Sequence, residues 1–521
     1  MDLLLKIPEL VNLIATYMSQ PDQARFLRVS RLAFHSAVPL VWYSLDTMLV
    51  LFELIDGISY KPAPDEEDYG SMELPDPLTE SHLVRFKFYA GFVKKVSLDY
   101  GLIGPDIPLR DQHRHTRLDN FPNWSPLLDY ANKDVLLPNL VNITYLKLDC
   151  VPGMKWLRVL LSPSVRGLCI IHWGTWWPPR ILPSLLELLA SKSPGLTELN
   201  IFSHNFTYSY HVSSRHTLIQ CLADFRELRV LKCNLVLFHP EMLATLGTLP
   251  HLSKIVVDVK DAPPLLDRAE LPHDYFPSLR ELCVNQVAPS WTTSLWSMKS
   301  MLKNLQSVSV SMYPERSNKT RFTGHWANPL LLQLFGNVTR LSSFRMCTSA
   351  DSRYLHPAML SLDVQQAMSQ FSLESLSINN AYFEDITGCE FLSSAWLGIQ
   401  ELRCGMQKCQ LSDLSLFARN LPHLRELELD VDLDFSGLNI SEEIHHLSRK
   451  AFRCLSRSPQ LYGRTDEQTI ELAKYLCALW PNLRCDFAET DGDDTKSRFQ
   501  FAYEELQRLN ACISQVRAEM V

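Results

Sequence analysis

A six-residue pattern of hydrophobic and polar positions recurs along most of this chain. Each copy has hydrophobic residues at its first, fourth and sixth positions, and its last three positions alternate as they do in a strand with one buried face. From Leu196 onward the copies begin 24 to 36 residues apart. The pattern predicts one strand per copy, and the copies begin at Val93, Ile143, Val165, Leu196, Leu228, Leu252, Leu279, Leu305, Leu341, Leu373, Ile399 and Leu424.

Apolar stretches with helical spacing separate many of these strands, for example at residues 182–192, 217–225, 330–335 and 411–418. A strand followed by a helix can bury its apolar side only against neighbouring units of the same kind. We therefore predict an α/β repeat stacked into a solenoid over residues 91–490. An ordinary α/β domain is the alternative, and it would have to reproduce the same six-residue frame in every strand by chance.

Residues 1–45, the N-terminal module, carry a different pattern that predicts three short helices. Pro8 suits the first turn of a helix, and residues 21–22 and 36–43 indicate the start of a second helix and the extent of a third. Apolar side chains form one helical stripe at Leu10, Leu13, Ile14, Tyr17 and Met18. So small a segment cannot bury this many large apolar side chains alone, so it needs a partner surface within the chain or on another protein.

Two further segments complete the predicted organisation. Residues 46–90 are predicted to be a linker, because residues 61–77 hold four prolines and an acidic run at 65–68 that is typical of a disordered loop. Residues 491–521 combine an acidic loop with an amphipathic helix. We expect this helix to cap the last repeat, with pairing to another chain as the alternative. Its apolar stripe comprises Ala502, Leu506, Leu509, Ile513, Val516 and Met520.

Composition narrows the classes of partner and compartment. The net charge of the 521 residues is -8, whereas a protein that binds nucleic acid needs clustered Lys and Arg. No apolar run is long enough to span a membrane, and the first residues lack the apolar core of a secretory signal. We therefore expect neither nucleic acid nor a membrane as a partner. We also expect a cytoplasmic or nuclear location, or both, and reduced thiols at the 13 cysteines.

The patterns of common catalytic and cofactor sites are absent from the sequence. It contains no glycine-rich phosphate loop, no Gly-x-Ser-x-Gly, no His-Glu-x-x-His and no Cys-x-x-Cys. Cys389, Cys404 and Cys409 lie near one another, but their spacing matches no recognised zinc motif. We predict no catalytic residue, no cofactor and no metal site, and therefore not an enzyme.

Two segments are candidates for binding a client protein. The first is a proline-flanked aromatic loop with Trp173, Trp176 and Trp177. Tryptophan is enriched at binding hot spots, although a loop of this kind can equally cover a core. The second is the polar side of the last predicted strand, which carries Glu426, Glu428 and Asp430. This acidic face would suit a basic client segment, and a solvated charged edge is the alternative reading.

The N-terminal module resembles an F-box. Residues 7–10, Ile-Pro-Glu-Leu, are similar to the start of that motif, with one residue fewer between Pro and Glu. Residues 14–18 are similar to the end of its first helix. Residues 27–31, Leu-Arg-Val-Ser-Arg, are similar to the hydrophobic-Val-Cys-Arg segment of the motif, with Ser30 where Cys is usual. Residues 41–42 lie near the position of its closing Leu-Trp.

This resemblance implies that the module docks on the adaptor subunit of an SCF-type E3 ubiquitin ligase, and through it on a cullin. The implied mode is a set of interlocked helices that share an apolar core with the adaptor. The adaptor-binding residues implied are Pro8, Leu10, Ile14, Leu27 and Trp42.

The repeats resemble an irregular leucine-rich-repeat protein. The asparagine that usually follows each strand of this family is mostly absent, since Val151, His204 and Ala381 are among the residues at that position. An F-box followed by such repeats implies the substrate-recognition subunit of an SCF-type ligase, whose repeats bind an unknown client. A leucine-rich-repeat scaffold for protein interactions, not engaged with a ligase, is the alternative.

Overall fold

The computed structural model of the chain describes residues 7–61, 71–98, 123–145, 151–172, 181–203, 215–234, 240–258, 271–287, 289–312, 324–348, 357–384, 388–432, 452–456, 465–480, 482–487 and 496–520. The chain divides into two compact units, Met1–Ile255 (unit 1) and Val256–Val521 (unit 2). Each unit has its own buried core of aliphatic and aromatic side chains.

The N-terminal module of unit 1 folds into three helices, α1 (Pro8–Tyr17), α2 (Gln20–Phe26) and α3 (Arg31–Val41), and both α1 and α2 pack against α3. The third helix begins five residues earlier than the predicted start at residue 36. Ser30 is the reason, because its hydroxyl accepts a hydrogen bond from the Ala33 amide at 3.0 Å. A serine in this position satisfies an amide that the first helical turn leaves without a partner.

Strands and helices alternate through the rest of unit 1. The strands are β1 (Ser44–Leu45), β2 (Ser59–Lys61), β3 (Ser71–Glu73), β4 (Lys95–Leu98), β5 (Asn142–Tyr145), β6 (Gly167–His172), β7 (Glu198–Ser203) and β8 (Val230–Asn234). The helices are α4 (Leu49–Phe52), α5 (Val84–Ala90), α6 (Ser125–Ala131), α7 (Val151–Leu160), α8 (Ile181–Lys192), α9 (Arg215–Asp224) and α10 (Pro240–Gly247). Strands β2 and β3 form an antiparallel pair, and the others form a parallel sheet in the order β1-β4-β5-β6-β7-β8.

Strand β9 (Lys254–Asp258) includes the boundary, and unit 2 continues the alternation. Its strands are β10 (Glu281–Val287), β11 (Ser307–Met312), β12 (Ser343–Thr348), β13 (Ala358–Leu360), β14 (Ser375–Asn379), β15 (Ala381–Phe383), β16 (Glu401–Gln410), β17 (Glu426–Asp432), β18 (Phe452–Ser456) and β19 (Leu483–Phe487). Its helices are α11 (Pro289–Trp296), α12 (Lys299–Leu302), α13 (Asn328–Asn337), α14 (Leu362–Ser369), α15 (Gly388–Ser394), α16 (Leu414–Asn420), α17 (Asp466–Leu479) and α18 (Lys496–Met520). All but β13 and β15, which pair with each other, form a parallel sheet in chain order from β10 to β19.

Every six-residue frame found in the sequence contains a strand. In β11, for example, Val308 and Val310 are buried while Ser307 and Ser309 on the other side are half-buried. The predicted α/β repeat is therefore confirmed, and each unit has the solenoid-like arrangement of parallel strands and helices that leucine-rich repeats have. Seven of the described strands lie outside the predicted frames, namely β1, β2, β3, β13, β15, β18 and β19.

Backbone hydrogen bonds tie many of the strands to the preceding strand of the sheet where they begin. In unit 1 the amides of Thr197 and Glu198 both donate to the Arg166 carbonyl, at 2.8 and 2.9 Å. In unit 2 the amides of residues 342 and 343 do the same to the Gln306 carbonyl. These bonds involve main-chain groups alone, so this stacking contact needs no asparagine side chain.

Residues 46–90, predicted as a linker, are built into the core of unit 1 where the structure describes them. Phe52 of α4 and Phe86 of α5 are at most 1% exposed, and their ring centroids lie 6.0 Å apart. Phe52 also packs on Trp156 of α7, with the ring centroids 5.4 Å apart. The helices α4 and α5 were missed because the prolines and acids between them dominate the composition. The acidic run at 65–68 lies outside the described residues.

Helix α18 covers the last strand of unit 2. It packs on α17 and β19, and four residues of its predicted stripe are buried, namely Leu506, Leu509, Ile513 and Val516. The Asn510 side chain accepts from the Cys485 amide at 3.1 Å and donates to its carbonyl at 2.8 Å, and Arg517 donates to the Leu483 carbonyl. The helix thus caps main-chain groups that an open edge strand would offer to another chain. The side chains of Ala502 and Met520 lie outside the described part of the structure.

None of the helices in the described ranges is long and apolar enough to cross a bilayer.

The cysteines in the described ranges carry free thiols, and most of them are buried. Burial raises the pKa of the Cys233 and Cys404 thiols, so both stay protonated and pack as small apolar side chains.

Candidate interaction surfaces

Helix α1 is apolar on both of its sides, and only one side is covered. Val11 and Ala15 are fully buried against the rest of the module. On the other side Leu13, Ile14 and Tyr17 are 53%, 42% and 85% exposed. Large apolar side chains left together in water on one helix mark a surface that another protein can cover.

Polar side chains fix the turn that follows this helix. The Gln23 side-chain amide donates to the carbonyls of Ala15 and Met18, at 2.8 and 3.2 Å, so it holds α2 to the end of α1. The Ser19 hydroxyl donates to Asp22 at 2.7 Å, and this bond, with the Arg25 ion pair at 2.8 Å, lowers the pKa of the Asp22 carboxyl. The apolar side of α1 is therefore presented by a locally braced helix pair.

The implied adaptor-binding residues fall into two groups. Pro8 and Ile14 are exposed, and Leu10 and Leu27 are half-buried. Trp42 is half-buried because its ring packs on Tyr89 of α5, with the centroids 4.6 Å apart. Trp42 therefore joins the module to the rest of unit 1.

Four exposed apolar residues of the module are absent from the implied adaptor-binding set. They are Ile7, Leu13, Tyr17 and Val29, which are 44%, 53%, 85% and 58% exposed. Tyr17 belongs to the helical stripe already recognised, so the periodicity could have identified it. We call Ile7, Leu13, Ile14, Tyr17 and Val29 the module patch.

The cap at the start of α3 can be tested by replacing Ser30. We expect Ser30→Ala to destabilise α3 by about 1 kcal/mol, because the Ala33 amide loses its acceptor. Native-state hydrogen exchange should show faster exchange for the first turn of α3. Ser30→Thr keeps the hydroxyl and is the control, and equal exchange in the two variants would contradict the capping role.

The acidic face of the last repeats is organised by strand register. Pairing of β14, β16 and β17 places side chains in two rows across the sheet. One row comprises Ser375, Glu401 and Glu426, and the next comprises Ser377, Arg403 and Glu428. Because in-register strands lie side by side, each polar group in a row meets the polar group of the adjacent strand.

Two of the acids predicted to bind a client, Glu426 and Glu428, are paired or buried within the chain. Arg403 donates to Glu426 at 2.8 Å, and Glu428 is only 4% exposed. Asp430 is half-buried and Asp432 is exposed. Client binding at this face remains a prediction, and its accessible acids are Asp430 and Asp432.

Arg403 and Glu426 occupy diagonal positions on neighbouring strands, and an ion pair with the same arrangement occurs in unit 1. There Lys232 of β8 lies 3.0 Å from Glu198 of β7. Beside it, the Asn200 amide donates to the Cys169 sulfur at 3.1 Å. Both units therefore line the polar side of the sheet with groups that bond across neighbouring strands. Trp173, Trp176 and Trp177 lie outside the described residues.

Comparison with known proteins leaves the family open. No protein-family model matches this sequence, and no curated protein matches it. Among solved structures the chain is similar to a crystal structure of a TLR13–ssRNA13 complex, with 11% identity and a TM-score of 0.34. The similarity covers 77% of this chain and 54% of that chain, so this chain spans about half the length of that neighbour. At this similarity nothing follows about the partners of this chain.

Proposed function

We propose that this chain is the substrate-recognition subunit of an SCF-type E3 ubiquitin ligase. The N-terminal module would bind the adaptor subunit, and the repeats would hold a client protein. The observation that carries this proposal is the module patch, because its side chains stay exposed although the module packs on α5. The F-box resemblance of residues 7–42 supplies the class of partner.

The physical basis of the docking is burial of the patch in a groove of the adaptor. Ile14 lies on the outer side of α1, one and three residues from Leu13 and Tyr17, so the three can enter one groove together. Full burial of an Ile side chain contributes about 1.5–3 kcal/mol. Leu10 and Leu27, which are half-buried, would complete the contact.

The repeats suit the second role because each unit offers a polar sheet face. Bonds such as Lys232–Glu198 in unit 1 and Arg403–Glu426 in unit 2 fix side chains on these faces, so little side-chain entropy is lost on binding. Asp430 and Asp432 would favour a basic client segment. The chain would promote transfer of ubiquitin by holding the client near the loaded enzyme, which raises effective concentration.

Capture of the full chain by purified adaptor subunit tests the proposal. We expect Ile14→Glu to weaken binding roughly 10- to 100-fold, because it removes an apolar anchor and adds a charge. Leu397→Glu is the matched control, since Leu397 is 66% exposed and lies outside the module. Binding is measured by surface plasmon resonance, and melting curves verify that both variants fold.

Two results would overturn the ligase assignment. One is a wild-type chain that does not bind the adaptor at micromolar concentrations, and the other is equal binding by Ile14→Glu and Leu397→Glu. A chain that fails with the adaptor but still captures a client through its repeats would be the interaction scaffold considered as the alternative.

A further inference from the structure

Three potential metal ligands whose spacing matches no recognised zinc motif meet in unit 2. Cys389 of α15, Cys409 of β16 and Asp413 place their sulfur and carboxylate oxygen atoms within 4.8 Å of one another. The two cysteines are 5% and 3% exposed, and Asp413 is half-buried. We call these residues the Cys–Asp cluster. In the described part of the chain, no other group of three such residues converges in this way.

A bulge in β16 brings the cluster together. Cys404 pairs with Leu429 and Lys408 with Asp430, so residues 405–407 have no partner in β17. Gln407 anchors this bulge, because its side-chain oxygen accepts from the Phe383 amide at 2.9 Å. The bulge shifts the alternation of buried and exposed side chains along β16. Cys409 therefore faces the buried side, towards Cys389 at the start of α15.

Main-chain contacts orient the remaining ligands. The Gln410 amide donates to one carboxylate oxygen of Asp413 at 2.9 Å, which fixes the carboxylate beside the thiols. The Cys389 thiol donates to the Lys408 carbonyl and the Cys409 thiol to the Gln410 carbonyl, both at 3.4 Å. Cys404, on the same strand and 1% exposed, is outside the cluster. Burial of thiols as small apolar groups explains Cys404 but does not require a carboxylate beside two of them.

We propose that Cys389, Cys409 and Asp413 form a binding site for a zinc ion. Two thiolates and a carboxylate are a ligand set that Zn²⁺ accepts, with a water in the fourth tetrahedral position. Zinc–sulfur and zinc–oxygen bonds of about 2.3 and 2.1 Å would place the ligand atoms roughly 3.6–3.8 Å apart. The cluster therefore needs to close by about 1.2 Å at most, which side-chain rotation supplies.

Zinc would act here as a structural link within unit 2. It would join α15, the bulged end of β16 and the turn that leads into α16 through side chains alone. Asp413 is half-buried, so the cluster borders on solvent at this residue. This inference is independent of the proposed ligase function, since none of the three residues belongs to the module or to the acidic face.

Titration of the reduced, metal-free full chain with Co²⁺ and Zn²⁺ tests the site. Co²⁺ should give a thiolate-to-metal charge-transfer band in the near ultraviolet and the bands of tetrahedral Co²⁺ in the visible. One equivalent of Zn²⁺ should displace the Co²⁺ and abolish these bands. The Cys389→Ala and Cys409→Ala variants should lose the band. Asp413→Asn keeps an oxygen for the Gln410 amide, so it should fold, retain thiolate bands and bind Zn²⁺ roughly tenfold or more weakly.

Cys404→Ala is the matched control, because it removes an equally buried thiol from the same strand and should leave Zn²⁺ binding unchanged. The proposal is overturned if the wild-type chain binds no stoichiometric Zn²⁺, or if Cys404→Ala loses it as fully as Cys409→Ala. It is also overturned if Asp413→Asn binds with unchanged affinity. A disulfide between Cys389 and Cys409 in the purified chain, detected by mass spectrometry, would equally exclude the site.

Discussion

Phe52→Ala should destabilise unit 1 by roughly 3–5 kcal/mol, the usual cost of truncating a fully buried aromatic side chain. Phe52 is 0% exposed, and its ring packs on Phe86 and Trp156. Trp156 in turn meets Trp124 edge-on, with the ring centroids 4.6 Å apart. Removing Phe52 would therefore leave a cavity in the middle of an aromatic cluster. Thermal and chemical denaturation of the full chain measure the effect.

The adjacent exposed position provides the control for this prediction. Val50 lies on the same short helix, α4, and is 43% exposed. Val50→Ala should change stability by about 0.5 kcal/mol or less, as surface substitutions usually do. Equal stability of the two variants would contradict the burial of Phe52 in the core of unit 1.

Ile513→Asp should detach α18 from unit 2. Ile513 is 2% exposed between α18 and α17, and its carbonyl accepts from the Cys477 thiol. Truncating a buried Ile costs about 2–5 kcal/mol, and the desolvated carboxylate adds to that cost. We expect a loss of at least about 3 kcal/mol, limited by the free energy that holds the whole helix in place.

Hydrogen exchange at β19 distinguishes detachment from a general loss of stability. With α18 displaced, Asn510 no longer bonds to Cys485, so the amides on the open side of β19 should exchange faster. The open edge should also promote concentration-dependent self-association, visible by light scattering. Ala511→Asp introduces the same residue at an exposed position of the same helix and should behave as wild type. Equal behaviour of both variants would contradict the capping role.

The strands of the repeats were predictable because their signal is local. Alternation within six residues defines a buried and an open side, and the same frame returns in every repeat. The stripe of α18 was predictable for the same reason, since Leu509 and Ile513 follow helical spacing. Strand β1 was missed because two residues hold too little periodicity. Strand β18 was missed because Ser456, which pairs with Leu429, stands where the frame has its last hydrophobic residue.

Two misjudged regions show where local pattern fails. In residues 46–90, prolines and acids outweighed the short apolar stretches around Phe52 and Phe86. Phe52 packs on Trp156, which lies more than a hundred residues further along the chain. The early start of α3 depended on the single serine cap at Ser30, which averaged hydrophobicity does not detect.

By itself the sequence determined the repeat, the strand frames, the apolar module helix and the capping helix, because each is encoded in the spacing of neighbouring apolar residues. Only the tertiary structure decided which polar groups are buried or bonded within the chain and which stay exposed. Glu428 is buried and Asp432 exposed on one strand, and Cys409 meets Cys389 and Asp413 while Cys404 does not. Strand register and the β16 bulge set these differences, and both depend on what the adjacent strand places alongside.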